Sequence, residues 1–249
     1  MIIDKRTRAA LEETTRFTDV REFDELDSTN RYLLDESRAG AREGVVAVAD
    51  HQTAGRGRLG RTWTAPPGTS LLVSILLRPV DLALDRRHLL SAAVALSAGA
   101  AIERAAGIVP LLKWPNDLLI EDRKLAGILA EAEGDAVVVG MGLNVSSAPP
   151  GAVSLADATG GGPPPDRGVL LAGLLDALEG WYGRWDDVAA TYRDRCATVG
   201  QEVRAELPGR TVVGRAEGID DHGHLLVRPS DGELVEVLAG DVIHLRPAG

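Results

Sequence analysis

Short apolar runs alternate with helix-forming segments along the first part of the chain. The runs at 45–49 and 70–77 are rich in Val, Leu and Ile, and they predict strands. An alanine-rich pattern over about 87–106 predicts a long helix whose small side chains suit close packing against a sheet. Residues 5–16 have helical composition, and the Asp-Ser-Thr-Asn sequence at 27–30 predicts a helix start capped by its Ser or Thr.

The middle of the chain predicts further strands joined by short turns. They lie at 111–114, 117–120, 127–131, 136–140 and 142–145. Strands 127–131 and 136–140 would pair as a hairpin, and hairpin strands run antiparallel. The sequence therefore predicts an α+β fold with a mixed β-sheet flanked by helices.

The pattern changes after residue 145. Residues 146–167 are rich in Pro, Gly, Ser and Ala, which fits either a variable surface loop or a flap over a site. A helical pattern returns over about 168–196. Beyond Gly200, short β runs with turn residues between them predict a small β-barrel appended to the core; they lie at 202–205, 211–216, 225–227 and 234–237.

Size and charge limit the classes of function. The 249 residues suffice for one large domain, or for a medium domain with a small appendage. With 37 acidic and 27 basic side chains the formal charge is −10, which argues against general nucleic-acid binding. We find no apolar run of membrane-spanning length and no signal peptide, so the sequence predicts a cytoplasmic protein without a membrane partner.

Cysteine and histidine offer little chemistry. The single cysteine, Cys196, can form no intramolecular disulfide and is expected to be buried and unreactive. The five histidines are scattered. The one close pair, His222 and His224, lies in a sequence typical of a turn, so a structural zinc site is not favoured.

Positive charge is concentrated at residues 55–63, Gly-Arg-Gly-Arg-Leu-Gly-Arg-Thr-Trp, here called the basic loop. Its glycines match the spacing of a dinucleotide-binding fingerprint, and a strand precedes it. The required helix does not follow, because two prolines and a glycine stand at 66–68. No P-loop sequence occurs either. The basic loop therefore predicts a mobile or ligand-ordered anion site, where guanidinium groups bind carboxylate or phosphate oxygens.

Three further motifs place polar groups beside apolar strands. Lys-Trp-Pro-Asn-Asp at 113–117 offers an ammonium, an amide and a carboxylate across a tight turn. Lys-Leu-Ala-Gly-Ile at 124–128 places a second lysine at the head of a strand. Gly-Met-Gly-Leu-Asn at 140–144 combines glycines, which permit close ligand approach, with an amide at a strand end.

These motifs, together with 27–30 and His-Gln-Thr-Ala-Gly-Arg-Gly-Arg at 51–58, resemble those of biotin protein ligases, from about Asp27 to the C-terminus. The resemblance implies a catalytic domain related to class II aminoacyl-tRNA synthetases, over 1–198 with a short N-terminal extension at 1–22. It also implies an SH3-like C-terminal domain over 199–249.

The resemblance implies a two-step ligase reaction. Biotin and ATP would form biotinyl-5′-AMP and pyrophosphate, with Mg²⁺ expected to assist, and a lysine of a biotin carboxyl carrier protein domain would then accept the biotin. Both steps build negative charge in a confined space, which fixed cations and amide donors stabilise.

The resemblance also assigns roles to residues of this sequence. Lys124 and Arg58 would be catalytic, Lys124 by neutralising charge between carboxylate and phosphate. Biotin would be bound by Ser28, Thr29, Asn30, Gln52, Arg56, Gly57, Arg58, Lys124 and Gly127. ATP and the adenylate would be bound by Arg56, Arg58, Arg61, Lys113, Asn116, Lys124, Asn144 and Trp63, whose indole would stack on adenine. Asp117 would assist a metal ion or orient Lys113.

Two alternatives stay open. Lipoate–protein ligases and octanoyltransferases share the fold, although the Gly-Arg-Gly-Arg and Lys-Trp-Pro-Asn-Asp sequences favour biotin. A DNA-binding regulator that senses an adenylate is the non-enzymatic alternative. Repressor members carry a helix-turn-helix domain before the catalytic domain, whereas only about 25 residues precede Asp27 here, so the sequence predicts a ligase without specific DNA binding.

Overall fold

The computed structural model describes residues 2–160, 162–207, 209–230, 232–238 and 241–244, without the side chains of Arg6 and Asp241. Within these ranges the α-helices are α1 (Lys5–Thr14), α2 (Thr29–Arg38), α3 (His88–Ala106), α4 (Leu155–Ala158), α5 (Arg167–Trp181) and α6 (Trp185–Arg195). The first seven strands are β1 (Val20–Leu26), β2 (Val46–Gln52), β3 (Ser70–Leu77), β4 (Leu111–Lys113), β5 (Asp117–Ile120), β6 (Arg123–Glu133) and β7 (Ala136–Asn144). The last five are β8 (Glu202–Leu207), β9 (Arg210–Ile219), β10 (Leu225–Arg228), β11 (Val235–Val237) and β12 (Asp241–His244).

Strands β1 to β7 form one mixed sheet in the order β1-β2-β3-β7-β6-β5-β4. Among the described pairs of this sheet, β1 and β2 run parallel and the others antiparallel. Every residue of β3 is buried. The sequence of such a strand is a nearly continuous apolar run because helices cover both faces of the sheet.

The helices cover the two faces unequally. Helices α3 and α5 pack against each other over one face, and α2 covers the other face, with Leu33 against the sheet residues Ala47 and Val138. Helix α2 begins where the Ser28 hydroxyl accepts a hydrogen bond from the Arg31 backbone nitrogen at 3.5 Å. Helix α3 ends at Gly107, whose φ of 68° is the left-handed conformation that favours glycine after a helix.

Helix α3 corrects one sequence-based expectation. Together with the turn before it, Leu84–Ala106 is long and apolar enough to cross a membrane by length and composition alone. Of its most apolar window, 67% is buried inside the fold. Its apolar surface is therefore covered by protein, as expected for the core helix of a globular domain.

Strands β8 to β12 form a second, antiparallel sheet in the order β11-β10-β9-β8-β12. Buried and exposed residues alternate along β8 and most of β9, so one face of this sheet covers a core. Strands β11 and β12 lie at the two edges of the described order. The sheet agrees with the predicted appended β domain, while barrel closure stays a prediction, and residues 245–249 of that domain lie outside the described residues.

The segment that leads into the second sheet and the turn between β9 and β10 both contact β4 or the residue after it. The backbone nitrogen of Ala197 donates to the Leu112 carbonyl at 2.8 Å, and the Trp114 indole donates to the Gly223 carbonyl at 2.8 Å. A Cβ atom on Gly223 would lie 2.1 Å from the His88 ring. The turn between β9 and β10 is therefore packed closely against the start of α3.

The predicted mixed sheet flanked by helices is confirmed, and the strand predicted at 70–77 has those bounds in the structure. Strand β1 was missed because charged side chains interrupt its apolar pattern, and β12 was missed because only two apolar residues stand between its Asp and its His. The helical pattern over 168–196 is two helices, separated at Gly183 with a φ of 85°. The segment 146–167 contains α4, which a Ser154–Asp157 capping box starts.

Candidate active site

A cavity lies where α2 begins and where the basic loop folds over β6 and β7. The predicted site residues that line it are Ser28, Thr29, Asn30, Gln52, Arg56, Gly57, Arg58, Arg61, Trp63, Asn116, Asp117, Lys124 and Gly127. Lys113 and Asn144 are not among its lining residues. Segments that are far apart in the sequence thus converge on one chamber.

Buried hydroxyl and amide groups form a hydrogen-bonded network at one end of the cavity. Gln52 Oε1 accepts from the backbone nitrogen of Thr29 at 2.8 Å and lies 3.0 Å from its hydroxyl. The Ser74 hydroxyl lies 2.7 Å from Thr29 Oγ1 and 2.6 Å from Asn30 Oδ1. Because buried polar groups are costly without partners, this network fixes the orientation of each side chain.

Three glycines of β6 and β7, Gly127, Gly140 and Gly142, form what we call the glycine floor. A Cβ atom on Gly140 would lie 2.0 Å from Asn30 Oδ1. One on Gly142 would lie 2.4 Å from the Trp63 indole, and one on Gly127 would lie 3.2 Å from it. The floor therefore admits Asn30 and the indole into direct contact with the strand backbones, which a larger residue would prevent.

The basic loop has a hairpin-like structure. Its ends are tied by the Trp63 backbone nitrogen, which donates to the Gly55 carbonyl at 3.0 Å, and Gly57 donates to the Arg61 carbonyl at 2.7 Å. Leu59 and Gly60 turn the chain with φ of 55° and 74°. No helix follows in residues 61–69, so the exclusion of a dinucleotide-binding turn on sequence grounds is borne out by the structure.

Two arginines of the basic loop have fixed partners across the cavity. Arg56 Nη2 pairs with Glu131 Oε1 at 2.8 Å. Arg58 Nη1 donates to Asn116 Oδ1 at 3.2 Å, and Asn116 in turn donates to the Ile128 carbonyl at 2.7 Å. The guanidinium groups are thereby held in place before any anion enters.

Lys124 lines the same cavity as the three arginines of the basic loop, Arg56, Arg58 and Arg61, and we call these four side chains the cation cluster. The Lys124 Nζ lies 2.6 Å from Asp117 Oδ1 and 5.8 Å from the centroid of the Trp63 ring. The side chain is 39% exposed, so an incoming anion could reach the ammonium. A lysine ammonium is a mobile point charge with three donors, which suits it to charge that develops between two oxygens.

Lys113 and Asn144 lie outside the cavity lining. Lys113 is half-buried on β4, where its charge adds to burial in lowering the pKa of His244. Buried Asn144 donates from Nδ2 to the carbonyls of Lys124 and Val153 at 3.4 and 3.2 Å. It joins the segment after β7 to the start of β6, and the ligand contacts predicted for both residues stay predictions.

Ser74 and Glu131 belong to the site and were missed by sequence reasoning. Ser74 is a hydroxyl in the middle of a buried strand, a position that requires a hydrogen-bonding partner and could have drawn attention. Glu131 accepts from Asn30 Nδ2 at 2.9 Å in addition to its pairing with Arg56. Its partners lie far away in the sequence, so no local pattern indicated this role.

Acidic groups that could hold a metal ion are few. Asp117 is the one acid among the residues lining the cavity, and its Oδ1 is paired with Lys124. Elsewhere in the described ranges, Asp220, His224 and Glu236 lie together. Asp220 Oδ1 accepts from the backbone nitrogens of His222 and His224 at 2.9 and 2.8 Å, which agrees with the predicted turn.

Two buried titratable groups lie behind the cavity. Burial raises the pKa of the Cys196 thiol above its usual range, so it stays protonated, in line with the expectation of a buried, unreactive cysteine. Burial likewise raises the pKa of Tyr192, whose hydroxyl donates to the Pro115 carbonyl at 3.3 Å. Both groups support the turn that carries Asn116.

Comparison with protein families gives two matches. Residues 22–145 match the biotin/lipoate A/B protein ligase family, and residues 198–245 match the biotin protein ligase C terminal domain. The first match includes the cavity residues described above, and the second includes strands β8 to β12.

Individual proteins are also similar. A biotin–[acetyl-CoA-carboxylase] ligase of Mycobacterium tuberculosis is 44% identical, over 88% of this chain and 86% of that protein. A protein of the same name from Paracoccus denitrificans is 35% identical, over 84% of this chain and 94% of its own length. The structure of a biotin protein ligase from Aquifex aeolicus in complex with biotin and ATP superposes with a TM-score of 0.78 at 29% identity, over 92% of this chain and all of that one.

Proposed function

The chain belongs to the biotin/lipoate A/B protein ligase family, and we propose that it is a biotin protein ligase. It activates biotin with ATP to biotinyl-5′-AMP, and it transfers biotin to a lysine of a biotin carboxyl carrier protein domain of a carboxylase. The observation that carries this proposal is one cavity that combines a buried amide and hydroxyl network with Arg56, Arg58 and Lys124.

The network end of the cavity suits the ring system of biotin. A ureido group offers two N–H donors and a carbonyl acceptor, and it needs complementary groups that do not rotate away. We assign this recognition to Ser28, Thr29, Asn30 and Gln52, three of which are buried. The biotin carboxylate then extends toward Arg56, Gly57, Arg58, Lys124 and Gly127.

In the first step a carboxylate oxygen of biotin attacks the α-phosphorus of ATP. A C–O–P linkage forms, and the bond to the bridging oxygen breaks as pyrophosphate leaves with the electron pair. Negative charge builds up on the oxygens bound to the α-phosphorus. The biotin carboxylate and the ATP phosphates are both anionic and repel one another before the reaction begins. We assign the stabilisation of this charge to Lys124 and Arg58, and the pyrophosphate side to Arg61.

In the second step the neutral amine of the carrier lysine attacks the acyl carbon. The amide bond forms, the bond between the acyl carbon and the phosphate oxygen breaks, and AMP departs with the electron pair. The proton lost by the amine passes to the departing phosphate or to water. The same fixed cations stabilise the departing AMP. One cation cluster thus serves both steps, since each ends with charge on the α-phosphate.

For the nucleoside we retain stacking on Trp63 and contacts from Lys113, Asn116 and Asn144. The position of the indole on the glycine floor, beside Lys124, supports this assignment for Trp63. The amide nitrogen of Asn144 is already used by two carbonyls, which leaves its oxygen for a ligand.

We propose that Asp117 is the protein residue that would hold Mg²⁺ beside the phosphates of ATP. Mg²⁺ is often bound by substrate phosphates with one or two carboxylates, and Asp117 is the one acid lining the cavity. When bound, the ion neutralises phosphate charge. Asp117 also keeps the Lys124 ammonium in place through their 2.6 Å contact.

We further propose a boundary near residue 198 between a catalytic domain and a C-terminal β domain, a cytoplasmic location, and no specific DNA binding or membrane partner. The gap between the end of α6 at Arg195 and the start of β8 at Glu202 supports the boundary. The burial of α3 supports a protein without a membrane span, and the charge of −10 disfavours phosphate-backbone contacts.

Pyrophosphate release tests the substrate. The purified protein is incubated with Mg²⁺, ATP and either biotin or lipoate. We expect release with biotin and none above background with lipoate. Release with lipoate alone would assign the chain to the lipoate branch of the family, and release with neither would reject adenylation.

A further inference from the structure

Glu131 connects the two ends of the cavity. Its Oε1 pairs with Arg56 of the basic loop at 2.8 Å, and its Oε2 accepts from the side-chain amide of Asn30 at 2.9 Å. The side chain is 19% exposed, whereas that of Arg56 is 47% exposed. Each carboxylate oxygen therefore has its own partner, one half-exposed guanidinium and one buried amide.

The Asn30 amide is fixed from both sides. Its nitrogen also donates to the Leu129 carbonyl at 3.2 Å, and its oxygen lies 2.6 Å from the Ser74 hydroxyl. The network continues through Thr29 to Gln52, which lies only four positions before Arg56 in the chain. Side-chain contacts thus connect Gln52 at the end of β2, through Asn30 and Glu131, to Arg56 in the basic loop.

We propose that Glu131 is a positioning residue that aligns the carboxylate-binding arginine, Arg56, with the ring-binding amide, Asn30. The inference rests on the proposed function, since it assigns these two ends to the two parts of biotin. A partly exposed ion pair contributes little to stability. Its effect here is orientation, because a guanidinium held by one carboxylate keeps its other N–H groups aimed at the cavity.

The charge of Glu131 matters for Arg56 more than for Asn30. A glutamine at this position retains an oxygen that can accept from Asn30, but its amide group carries no charge to hold the guanidinium. Arg56 is then free to leave the cavity. A displacement of about 1 Å in a positioning group can cost roughly 10²-fold in rate, so the kinetic effect should exceed the effect on stability.

The test compares Glu131→Gln with Glu133→Gln. Glu133 lies on the same strand and pairs with Arg38 at the same distance of 2.8 Å, but Arg38 belongs neither to the basic loop nor to the cavity lining. With pyrophosphate release as the readout, we expect Glu131→Gln to lower kcat/KM for biotin roughly 10²-fold. Glu133→Gln should match the wild type, and Glu131→Asp, which keeps the charge, should recover part of the loss.

A double-mutant cycle with Arg56→Met separates positioning from general damage. If Glu131 acts through Arg56, adding Glu131→Gln to Arg56→Met should change kcat/KM by less than about 3-fold, because the arginine it positions is gone. Fully additive losses would overturn the proposal, as would equal activity of Glu131→Gln and Glu133→Gln. If Glu131→Gln fails to fold, the cycle is run with Glu131→Asp under the same criterion. An inactive wild type would instead reject the proposed function.

Discussion

At the scale of single residues, the site depends on small residues that let large groups approach the backbone. Gly127 and Gly142 leave room for the Trp63 indole, and Gly140 leaves room for Asn30. The cationic side chains of the site are held in place by partners, as Lys124 is held by Asp117. Close packing and fixed charge are thus combined in the same few side chains.

Lys124→Ala should abolish most adenylate formation without unfolding the protein. Removal of one preorganised charged donor typically costs about 10²–10³-fold in rate. Arg123→Ala is the matched control, since Arg123 precedes Lys124 on β6 and its contact with Glu121 is a loose 3.8 Å. Single-turnover pyrophosphate release and thermal melting measure the two effects. Wild-type turnover in Lys124→Ala would show that its role is misassigned.

Gly142→Ala should displace the Trp63 indole, because its Cβ would lie 2.4 Å from the ring. Overpacking of this kind typically costs about 1–3 kcal/mol of unfolding free energy. Gly218→Ala is the control, as no atom lies within 4 Å of its added Cβ. Urea unfolding and tryptophan fluorescence are compared for both variants. Unchanged fluorescence and stability in Gly142→Ala would contradict the close contact.

At the scale of elements, the features that could be predicted are those that a local sequence pattern determines. The buried strand β3 and the helix cap at Ser28 follow from apolar runs and a capping residue, and both appear in the structure. Strand β1 was not predicted because edge strands carry charges that interrupt the apolar pattern. The role of Glu131 in the site was not predicted because its contacts with Asn30 and Arg56 depend on how β6 lies against α2 and the basic loop.

Helix α5 gives an element-scale test that leaves the chemistry untouched. The Asp166 carboxylate accepts from the backbone nitrogens of Gly168 and Val169 at 2.8 and 3.1 Å. Asp166→Ala should lower the unfolding free energy by about 1 kcal/mol through loss of the cap. Asp176→Ala, an exposed change on the same helix, should have a smaller effect. Adenylate formation should stay at the wild-type rate in both, and a large loss in Asp166→Ala would contradict a purely structural cap.

At the scale of the whole molecule, the β domain is fastened beside the catalytic domain through buried polar groups. Trp114 donates to Gly223, and the Thr198 hydroxyl lies 3.0 Å from His244 Nε2. Burial lowers the pKa of both His88 and His244 from their ordinary value of 6.5. Folding therefore favours the neutral form of both imidazoles.

The junction therefore weakens in acid. A histidine whose pKa is depressed by folding contributes full stability above pH 6.5, and that contribution is lost as the pH falls below it. Urea midpoints measured at several pH values should decline from about pH 6.5 downward. His88→Phe should flatten this decline relative to the wild type. An unchanged pH profile in His88→Phe would show that His88 does not contribute.

Transfer of biotin to a carrier domain tests the central claim most directly. The purified protein, Mg²⁺, ATP and biotin are mixed with an apo biotin carboxyl carrier domain, and the intact mass of the carrier is followed with time. We predict a mass increase equal to one biotin less one water, absent without ATP and absent when the acceptor lysine is replaced by arginine. A carrier whose mass stays unchanged, although the domain is folded and accepts biotin from another ligase, would contradict the account.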